Sequence, residues 1–475
     1  MGVRTKSIRQ SLKRATLLQI EDRLGPALKP EILRKPSKGD HCRQRVFSLT
    51  RTFWCWIWQV LQANTSCRHV VRQVQALFAL LNDEEFDKRT SAYCQARGKL
   101  PRFMLEAALT ASASSAQKRA RASKALQGRP IKAVDGSGIR LQDTPQNRAT
   151  YPSSKNQFAK PSFPIMKAVG LICLASGAIL AQATGSLLIS ELRLLMNLAP
   201  CLKPKDILLG DRHYGCFVVA AWLQSLEVDL IARLSTRLRH VDFRKAHRSL
   251  GSLDGLFIWK KPTRPSPLLT PEQWKALPQQ LTVRILRTRL QQRGFRTREV
   301  TLITTLLDPQ LYRAQEIFES HLKRWRIEMC FDDLKTTLGM EQLSCKSPAM
   351  VQKEWLVFLI AHNFIRWVMA EAAQAGAVDL ERISFKGTLD AFREWTAGLV
   401  QIRGRGKKSK TAALWHMLLI TIASDLVPLR PGRQEPRAVK KRSKYPVLNK
   451  PRNKYVERWS RNKRRRLAIA KKASC

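Results

Sequence analysis

Apolar residues recur at helical spacing in the first quarter of the chain. In the segment FSLTRTFWCWIWQVLQANTSCRHVVRQVQALFALL they return every three or four positions, and the charged residues on the polar face are all basic. This pattern predicts a helical domain over about residues 45–125. We interpret Trp54, Trp56 and Trp58 mainly as core residues, with base stacking as the lesser alternative.

The pattern changes to that of strands and helices after residue 126. RPIKAVDGSGIRLQD indicates a strand that ends at Asp135, and FPIMKAVGLICLASGAILAQAT indicates a β-hairpin. The segments ISELRLLMNLAPCL and FVVAAWLQSLE have helical spacing, and DILLGD and VDLIARL are strand candidates that follow them. Strands that alternate with helices after a hairpin predict a mixed α/β sheet.

Residues 236–304 interrupt this alternation with three strand candidates among Pro-rich and basic loops, LDGLFIWKK, LTVRILRTRLQ and REVTLITTL. They predict a β-rich insertion. From Asp308 to Met340 the spacing predicts one long helix. The apolar runs EWLVFLIAHNFIRWVMA and TAALWHMLLITIASDLV predict two buried helices, since polar or charged residues interrupt each run before it reaches the length of a membrane span.

The charge of the chain points to a polyanionic partner. Its 85 Lys and Arg residues outnumber 36 Asp and Glu residues, giving a formal net charge of +49. Nucleic acid is the first partner that such a field predicts, and no membrane partner is expected. After Arg430 the chain carries KKRSK and RNKRRR. This tail is either a solvated arm or a non-specific phosphate-binding segment.

Other classes of protein are disfavoured. The N-terminal sequence MGVRTKSIRQSLKRATLLQ lacks the apolar stretch of a secretory signal, so we expect a cytoplasmic protein associated with the nucleoid. The 10 cysteines contain no C-x-x-C spacing and are expected to be reduced thiols. A zinc enzyme is disfavoured because no H-E-x-x-H or paired Cys/His spacing occurs.

The segment HLKRWRIEMCFDDLK places acid and base on one side of its predicted helix. At about 100° per residue, His321, Arg324, Glu328 and Lys335 fall on one narrow stripe. The same wheel predicts a solvent face with Glu319, Lys323, Arg326 and Asp333. It also predicts two apolar flanks, one with Phe318, Leu322, Trp325 and Met329 and the other with Ile327, Phe331 and Leu334. Glu328 either forms an ordinary surface ion pair with Arg324 or belongs to a site that binds metal and phosphate together.

Two further carboxylates stand where an α/β sheet would present them. Asp135 closes the predicted strand IKAVDG, and Asp211 closes DILLGD. Each has an ordinary alternative, since Asp-Gly is common in turns and Asp often caps helices. Together with Glu328 they would supply three acids, enough to hold two Mg²⁺ ions about 4 Å apart for phosphodiester chemistry.

The blocks AVDGSGIRLQDTPQNRATYP, LLGDRHYG and HLKRWRIEMCFDDLKTTLGMEQLSCKSP resemble the three acidic blocks of bacterial DDE transposases of the insertion-sequence four family. The third block of that family reads Tyr-x2-Arg-x3-Glu-x6-Lys, and Arg324, Glu328 and Lys335 keep its spacing. His321 stands where the family has tyrosine, and His213 where it usually has a small residue. The resemblance covers roughly residues 45–445.

The resemblance implies the fold and the site. It implies a ribonuclease-H-like α/β core with a β-rich insertion between the second and third acids. Asp135, Asp211 and Glu328 would be the catalytic metal ligands for two Mg²⁺ ions, with Mn²⁺ as a substitute. Arg324, Lys335 and His321 would contact DNA phosphates.

The same resemblance divides the chain into five segments. They are an N-terminal helical, DNA-binding domain (1–125), the first part of the core (126–235), the insertion (236–304), the second part of the core with the Glu328 helix (305–375), and a C-terminal helical region with the basic tail (376–475).

The leading hypothesis is a cut-and-paste DNA transposase. It would cleave the terminal inverted repeats of an insertion sequence and join them to target DNA, acting as a homodimer in a synaptic complex. The main alternative is a catalytically inactive, sequence-specific DNA-binding protein derived from a transposase. A general RNA- or ribosome-binding protein is a third possibility, but it requires neither the three acids nor the large apolar core.

Overall fold

The computed structural model describes residues 20–428, except for residue 44 and the segments 63–64, 80–86, 122–123, 153–162, 235–240, 290–298 and 401–407. The basic tail after Arg430 lies outside the described residues. Both interpretations of that tail therefore stay predictions.

A mixed sheet of nine strands runs through the described chain, in the order β3-β2-β1-β4-β5-β9-β8-β7-β6. The strands are β1 (Ile131–Arg140), β2 (Ile165–Cys173), β3 (Ile179–Ser186), β4 (Ile207–Gly210), β5 (Asp229–Arg233), β6 (Arg248–Gly251), β7 (Asp254–Lys260), β8 (Gln280–Arg289) and β9 (Glu299–Thr304). Strands β1, β4 and β5 are parallel, and every other pairing is antiparallel. The predicted mixed α/β sheet is confirmed, and β6 is a strand that the sequence pattern did not reveal.

Helices surround this sheet. They are α1 (Ile20–Leu24), α2 (Leu49–Leu61), α3 (Cys67–Ala79), α4 (Ser91–Lys99), α5 (Arg102–Arg119), α6 (Pro145–Thr150), α7 (Glu191–Met196), α8 (Phe217–Ser225), α9 (Pro271–Ala276), α10 (Ala314–Leu322), α11 (Trp325–Asp332), α12 (Pro348–Ala375), α13 (Phe385–Val400) and α14 (Lys408–Ser424). The predicted helical character of residues 45–125 is confirmed by α2 to α5. Trp54 and Trp56 are core residues, with 0% and 2% of their surfaces exposed.

The two faces of the sheet bury two separate apolar clusters, because successive side chains of a strand point to opposite faces. Ala133 of β1 packs in the cluster that contains Ile327 of α11 and most of α12. Val134, the next residue, packs in the cluster that contains Leu194 of α7 and Phe217 of α8. The sheet is thus the middle layer between helices, and α11 lies on the Ala133 side.

The turn between β2 and β3 requires a glycine. Gly177 has a φ of +68°, in the left-handed region where a side chain is strained, and a Cβ there would lie 2.4 Å from Nη2 of Arg366. The Gly177 N–H donates to the Cys173 carbonyl over 2.8 Å, and the Cys173 N–H donates to the Ala178 carbonyl over 2.9 Å. This turn lets Arg366 of α12 pack closely against the hairpin.

Helix α12 is long and apolar enough to cross a membrane, but 89% of its most apolar window is buried inside the protein. This confirms the prediction of a buried helix. The second prediction is only partly correct, because α14 buries Leu418 and Ile422 but exposes Met417 and Ile420 by 55% and 41%. One face of α14 therefore packs on the core, and the other faces solvent.

The prediction of one long helix from Asp308 to Met340 is wrong. Residues 308–313 precede the first helix, and α10 ends at Leu322 before α11 begins at Trp325. At the junction and in the first turn of α11, the Arg324, Arg326 and Ile327 N–H groups donate to carbonyls three residues earlier, at 3.0–3.1 Å. This tightened turn is followed after α11 by a π-helical turn, Asp333–Thr337. Both departures from 3.6 residues per turn rotate the helix relative to an ideal wheel.

His362 gives the fold a dependence on pH. Its ring is fully buried in α12 and stacks on Phe385 with ring centroids 5.0 Å apart. Burial, and then the positive charge of Arg366, lower its pKa to about 3. The imidazole is therefore neutral in the folded state at pH values where the unfolded chain, with a histidine pKa of about 6.5, is already protonated.

We expect the protein to lose about 2 kcal/mol of unfolding free energy between pH 7.5 and pH 5 through this one group, because only the unfolded state gains the proton. The His362→Phe protein keeps the ring stacking and should lose less stability over that interval, as measured by urea unfolding at both pH values. Equal losses in the two proteins would contradict this account of His362.

Candidate active site

The parallel pairing of β1 with β4 brings two carboxylates to one level of the sheet. Ala133 pairs with Leu209, so Asp135 and Asp211 each lie two residues beyond the same pair. Strand β4 ends at Gly210, and Asp211 is the first residue after it. The prediction that Asp135 also ends its strand is wrong. Strand β1 continues to Arg140 because β2 pairs with it throughout, including Asp135 with Gly170.

Arg324 joins the third carboxylate to the first. Its Nη1 donates to Oδ2 of Asp135 over 3.0 Å, and its Nη2 donates to Oε1 of Glu328 over 2.7 Å. The Arg324 and Asp135 side chains are only 16% and 19% exposed, and Glu328 is 36% exposed. The pair of Arg324 with Glu328 is thus part of a half-buried bridge between α11 and β1, and not an isolated surface ion pair.

Lys335 faces the same strand. It lies in the π-helical turn after α11, and its Nζ donates to Oγ of Ser137 over 2.7 Å. Asp135 and Ser137 are two residues apart on β1 and therefore share a face. The stripe that contains Arg324, Glu328 and Lys335 lies along this face of β1.

The predicted faces on either side of this stripe are only partly correct. Ile327 and Leu334 of one apolar flank are fully buried as expected. The other apolar flank and part of the solvent face are wrong. The apolar residues Leu322, Trp325 and Met329 are 41%, 57% and 52% exposed. Arg326, assigned to the solvent face, donates to the Leu174 carbonyl over 2.5 Å and pairs with Glu381 at 2.9 Å. Asp333 is half-buried, and burial raises its pKa to about 7. The tightened turn at Arg324 and the π-helical turn explain these shifts, since a regular wheel does not contain them.

The charges of Asp211 and Glu328 act on the Asp135 carboxylate. Burial raises the pKa of Asp135, the Gly136 N–H and Arg324 lower it, and the negative charges of Asp211 and Glu328 raise it again. The Gly136 N–H donates to Oδ1 of Asp135 over 2.8 Å, which fixes this carboxylate. Asp135 therefore lies between two like charges and one arginine.

The two histidines that depart from the family pattern occupy different environments. His321 is largely buried, and its ring hydrogen-bonds the backbone of Gly210. Burial, followed by the charges of Arg324 and Arg233, lowers its pKa to about 4, so the ring is neutral at pH 7. His213 is exposed, and its backbone N–H donates to Oδ1 of Asp211 over 2.7 Å. A phosphate contact by His321 stays a prediction.

Sequence reasoning missed Tyr214, three residues after Asp211. Its N–H donates to the Asp211 carbonyl over 3.2 Å, and its side chain is fully buried. A Cβ on Gly210 would lie 2.6 Å from the Tyr214 Cβ, so glycine at this position lets the ring fold back over the end of β4. The spacing Gly-Asp-x-x-Tyr in LLGDRHYG is the signal that could have revealed it.

The donors at this site suit a hard cation, because all of the acidic ligands are carboxylate oxygens. Within the described part of the chain, no three His, Cys, Asp or Glu side chains are arranged to hold one ion. The Arg324 guanidinium instead lies between Asp135 and Glu328 and supplies positive charge there. In this structure Arg324 thus balances the negative charge of these two carboxylates.

Comparison with known proteins gives the family. A family model described as "Transposase DDE domain" matches residues 126–364, about half of the chain, and this range contains Asp135, Asp211 and Glu328. The chain therefore belongs to the DDE transposase family. Membership of this family implies use of a divalent metal, typically Mg²⁺.

The similarity extends to a particular insertion-sequence type. The chain is 25% identical over 358 residues to "Transposase InsG for insertion sequence element IS4" of Escherichia coli strain K12, covering 74% of this chain and 77% of that protein. The protein is thus a DDE transposase of the IS4 type, which confirms the resemblance of its three acidic blocks. A structure of the piggyBac transposase synaptic complex with hairpin DNA aligns over 90% of this chain and 87% of its own, with 8% identity and a TM-score of 0.39, too low to establish a common fold.

The bridge through Arg324 predicts a pH-dependent loss of stability in the Arg324→Met protein. Without the guanidinium, Asp135 and Glu328 repel each other, and the folded-state pKa of Asp135 rises further above its unfolded value. Stability is then lost as the pH rises, so in EDTA we expect a loss of about 1–3 kcal/mol at pH 8 and a smaller loss at pH 5.

The matched control is Arg289→Met, which removes an exposed ion pair with Glu299. It should cost less than about 1 kcal/mol at either pH. Urea unfolding measures both proteins. A loss in Arg324→Met that does not change between pH 5 and pH 8 would show that the arginine does not neutralise the carboxylates.

Proposed function

We propose that this transposase binds Mg²⁺ through Asp135, Asp211 and Glu328, cleaves DNA at the ends of its insertion sequence, and joins the freed ends to target DNA. The observation that carries the proposal is the bridge that Arg324 forms between Glu328 and Asp135. It connects two acids that lie 193 residues apart along the chain. Asp135 lies on β1, and the parallel pairing of β1 with β4 brings Asp211 to the same level of the sheet. Carboxylate oxygens are ligands for Mg²⁺, and a guanidinium donates to phosphate, so this combination could bind metal and phosphate together.

The order of the strands supports a ribonuclease-H-like core. Strands β1 to β5 lie in the order β3-β2-β1-β4-β5, with an antiparallel hairpin followed by parallel β4 and β5. Strands β6 to β9 follow in sequence between Asp211 and Glu328 and extend the same sheet. We assign them to the insertion (236–304), and we keep the other boundaries at 1–125, 126–235, 305–375 and 376–475.

The proposed cofactor is a pair of Mg²⁺ ions, for which Mn²⁺ can substitute. When bound, Mg²⁺ lowers the pKa of an attacking water or 3′-hydroxyl and stabilises the departing oxygen. The chain contributes the positioning. The Gly136 and His213 N–H groups orient the Asp135 and Asp211 carboxylates. Glu328 lies on α11 and shares the Arg324 guanidinium with Asp135. A bound metal would neutralise these carboxylates and release Arg324 for a phosphate.

The proposed DNA contacts lie along the same stripe. Arg324 and Lys335 face β1 on either side of Glu328, and their hydrogen-bond donors match phosphate oxygens. His321 would donate to phosphate only after it takes up a proton or releases Gly210, because its neutral ring has a single N–H that already donates to the Gly210 backbone. The partners are the terminal inverted repeats and target DNA as double strands, bound by a homodimer in a synaptic complex. We place the protein in the cytoplasm at the nucleoid.

The alternative is a catalytically inactive DNA-binding protein. It would retain Arg324 and Lys335 for DNA contacts, but it would not need Asp135, Asp211 and Glu328 to lie close together. The charge influence of Asp211 and Glu328 on Asp135 favours the enzyme. A general RNA-binding protein would also not need this arrangement.

Three substitutions test the catalytic assignment. Asp135→Asn, Asp211→Asn and Glu328→Gln keep the shape of each side chain but remove the charge that holds Mg²⁺. Each should reduce Mg²⁺-dependent nicking of a DNA fragment that carries the sequences flanking this gene by at least about 10³-fold, because the acids act as one unit. Binding to the same fragment, measured in EDTA, should change little. Retained nicking by the Glu328→Gln protein would refute the assignment.

The assignment of Lys335 to a phosphate contact gives a different prediction. Lys335→Ala should weaken binding to end DNA and reduce the slope of log K against log salt by about 1, the effect of one lost phosphate contact. Lys275→Ala, which removes an exposed lysine of α9, is the control and should leave the slope unchanged. Equal slopes for wild type and Lys335→Ala would exclude this contact.

A further inference from the structure

A fourth carboxylate lies next to Asp135, on the other face of β1. Glu191 is the first residue of α7, whose N-terminus is capped by the Ser190 side chain. A Cβ built on Gly136 would lie 2.5 Å from Cδ of Glu191 and 2.8 and 2.9 Å from its two oxygens. The Glu191 carboxylate therefore covers the backbone directly after Asp135. Gly136 is required because of this contact, although Asp135-Gly136 is not a turn.

A buried hydroxyl without a partner belongs to Tyr214, whose ring packs against Gly210 and in the same apolar cluster as Leu194 of α7. Tyr214 is fully buried, and in the described part of the chain its hydroxyl makes no hydrogen bond. Its pKa lies well above the usual value, through burial first and then through the negative charges of Glu191, Asp135 and Asp211. The ring of Tyr214 closes on Gly210, the residue before Asp211, on the face of the sheet that α7 covers. A buried hydroxyl without a partner is unfavourable, so a ligand that hydrogen-bonds it would stabilise this part of the structure.

The geometry suggests how these groups would act. Asp135 points to the α11 face of β1, whereas Glu191 lies over Gly136 on the α7 face. Glu191 therefore approaches the end of β4 from the face of the sheet opposite to Glu328. Mg²⁺ usually keeps several of its waters when it binds carboxylates, and those waters need acceptors and donors on every side.

We propose that Glu191 and the Tyr214 hydroxyl belong to the divalent-cation site and bind the water shell of an ion held by Asp135 and Asp211. This inference rests on the proposed function, since it assumes that Asp135 and Asp211 bind the ion. Glu191 and Tyr214 are positioning residues. They act on the ion through its waters and do not touch the DNA strand that is cut.

The test is Mn²⁺ binding to the full-length protein without DNA, measured by electron paramagnetic resonance and calorimetry. Glu191→Gln should weaken binding about 10-fold or more, the usual effect of losing an outer-sphere partner. Tyr214→Phe should weaken binding by a smaller factor. Gly136→Ala should match Glu191→Gln, because the added methyl displaces the Glu191 carboxylate without strain in β1. The control is Glu272→Gln. Glu272 is an exposed acid in the first turn of α9, which like α7 is a capped helix of six residues, so its loss should not change Mn²⁺ binding.

The outcomes separate this inference from the function on which it rests. If Asp135→Asn abolishes Mn²⁺ binding while Glu191→Gln and Tyr214→Phe bind as wild type does, the inference is overturned and the proposed function stands. If Asp135→Asn also binds normally, the metal site itself is refuted. If Glu191→Gln fails to fold, as judged by circular dichroism, Tyr214→Phe decides alone, since it changes only the hydroxyl. Unchanged binding by folded Tyr214→Phe would then overturn the inference.

Discussion

The contact between Arg324 and Asp135 connects the two halves of this site. It fixes α11 against β1, so that Glu328 lies beside a strand that precedes it by almost two hundred residues. The same guanidinium holds Glu328, and without it two half-buried carboxylates would repel each other. A site that binds metal and phosphate needs this balance, because its acids must stay close together before any ion arrives. The tightened turn at Arg324 is where the helix adapts to make both hydrogen bonds.

The sheet supplies the other half of the geometry. Parallel pairing of β1 with β4 makes Asp135 and Asp211 level, and the close approach of Tyr214 to Gly210 shapes the turn that follows. Hydrogen bonds from backbone N–H groups then orient both carboxylates. Each acid is thus held by a different element, β1, the end of β4 or α11. The four strands β6 to β9 separate the second acid from the third in sequence and still extend the same sheet.

Periodicity predicted most elements, since the strands around Val134 and Leu208 and the helix around Phe364 are apolar enough to identify without tertiary information. It also placed Arg324, Glu328 and Lys335 on one stripe. It failed where tertiary packing changes the helix. No residue type marks the tightened turn or the π-helical turn, so Trp325 and Met329 were assigned to a buried flank, and Asp333 to solvent. Asp135-Gly136 suggested a strand end because glycine is common in turns, but this glycine makes room for Glu191. Such a contact between distant segments has no local sequence signal.

The central claim is that Asp135, Asp211 and Glu328 surround one divalent-cation site. Cleavage of the protein backbone by hydroxyl radicals from bound Fe²⁺, with ascorbate and peroxide and without DNA, tests it most directly. The account predicts cuts in three separate segments, near Asp135 in β1, near Asp211 after β4 and near Glu328 in α11, and excess Mg²⁺ should suppress all three together. Cuts confined to one of these segments, or cuts that Mg²⁺ does not suppress, would contradict the claim.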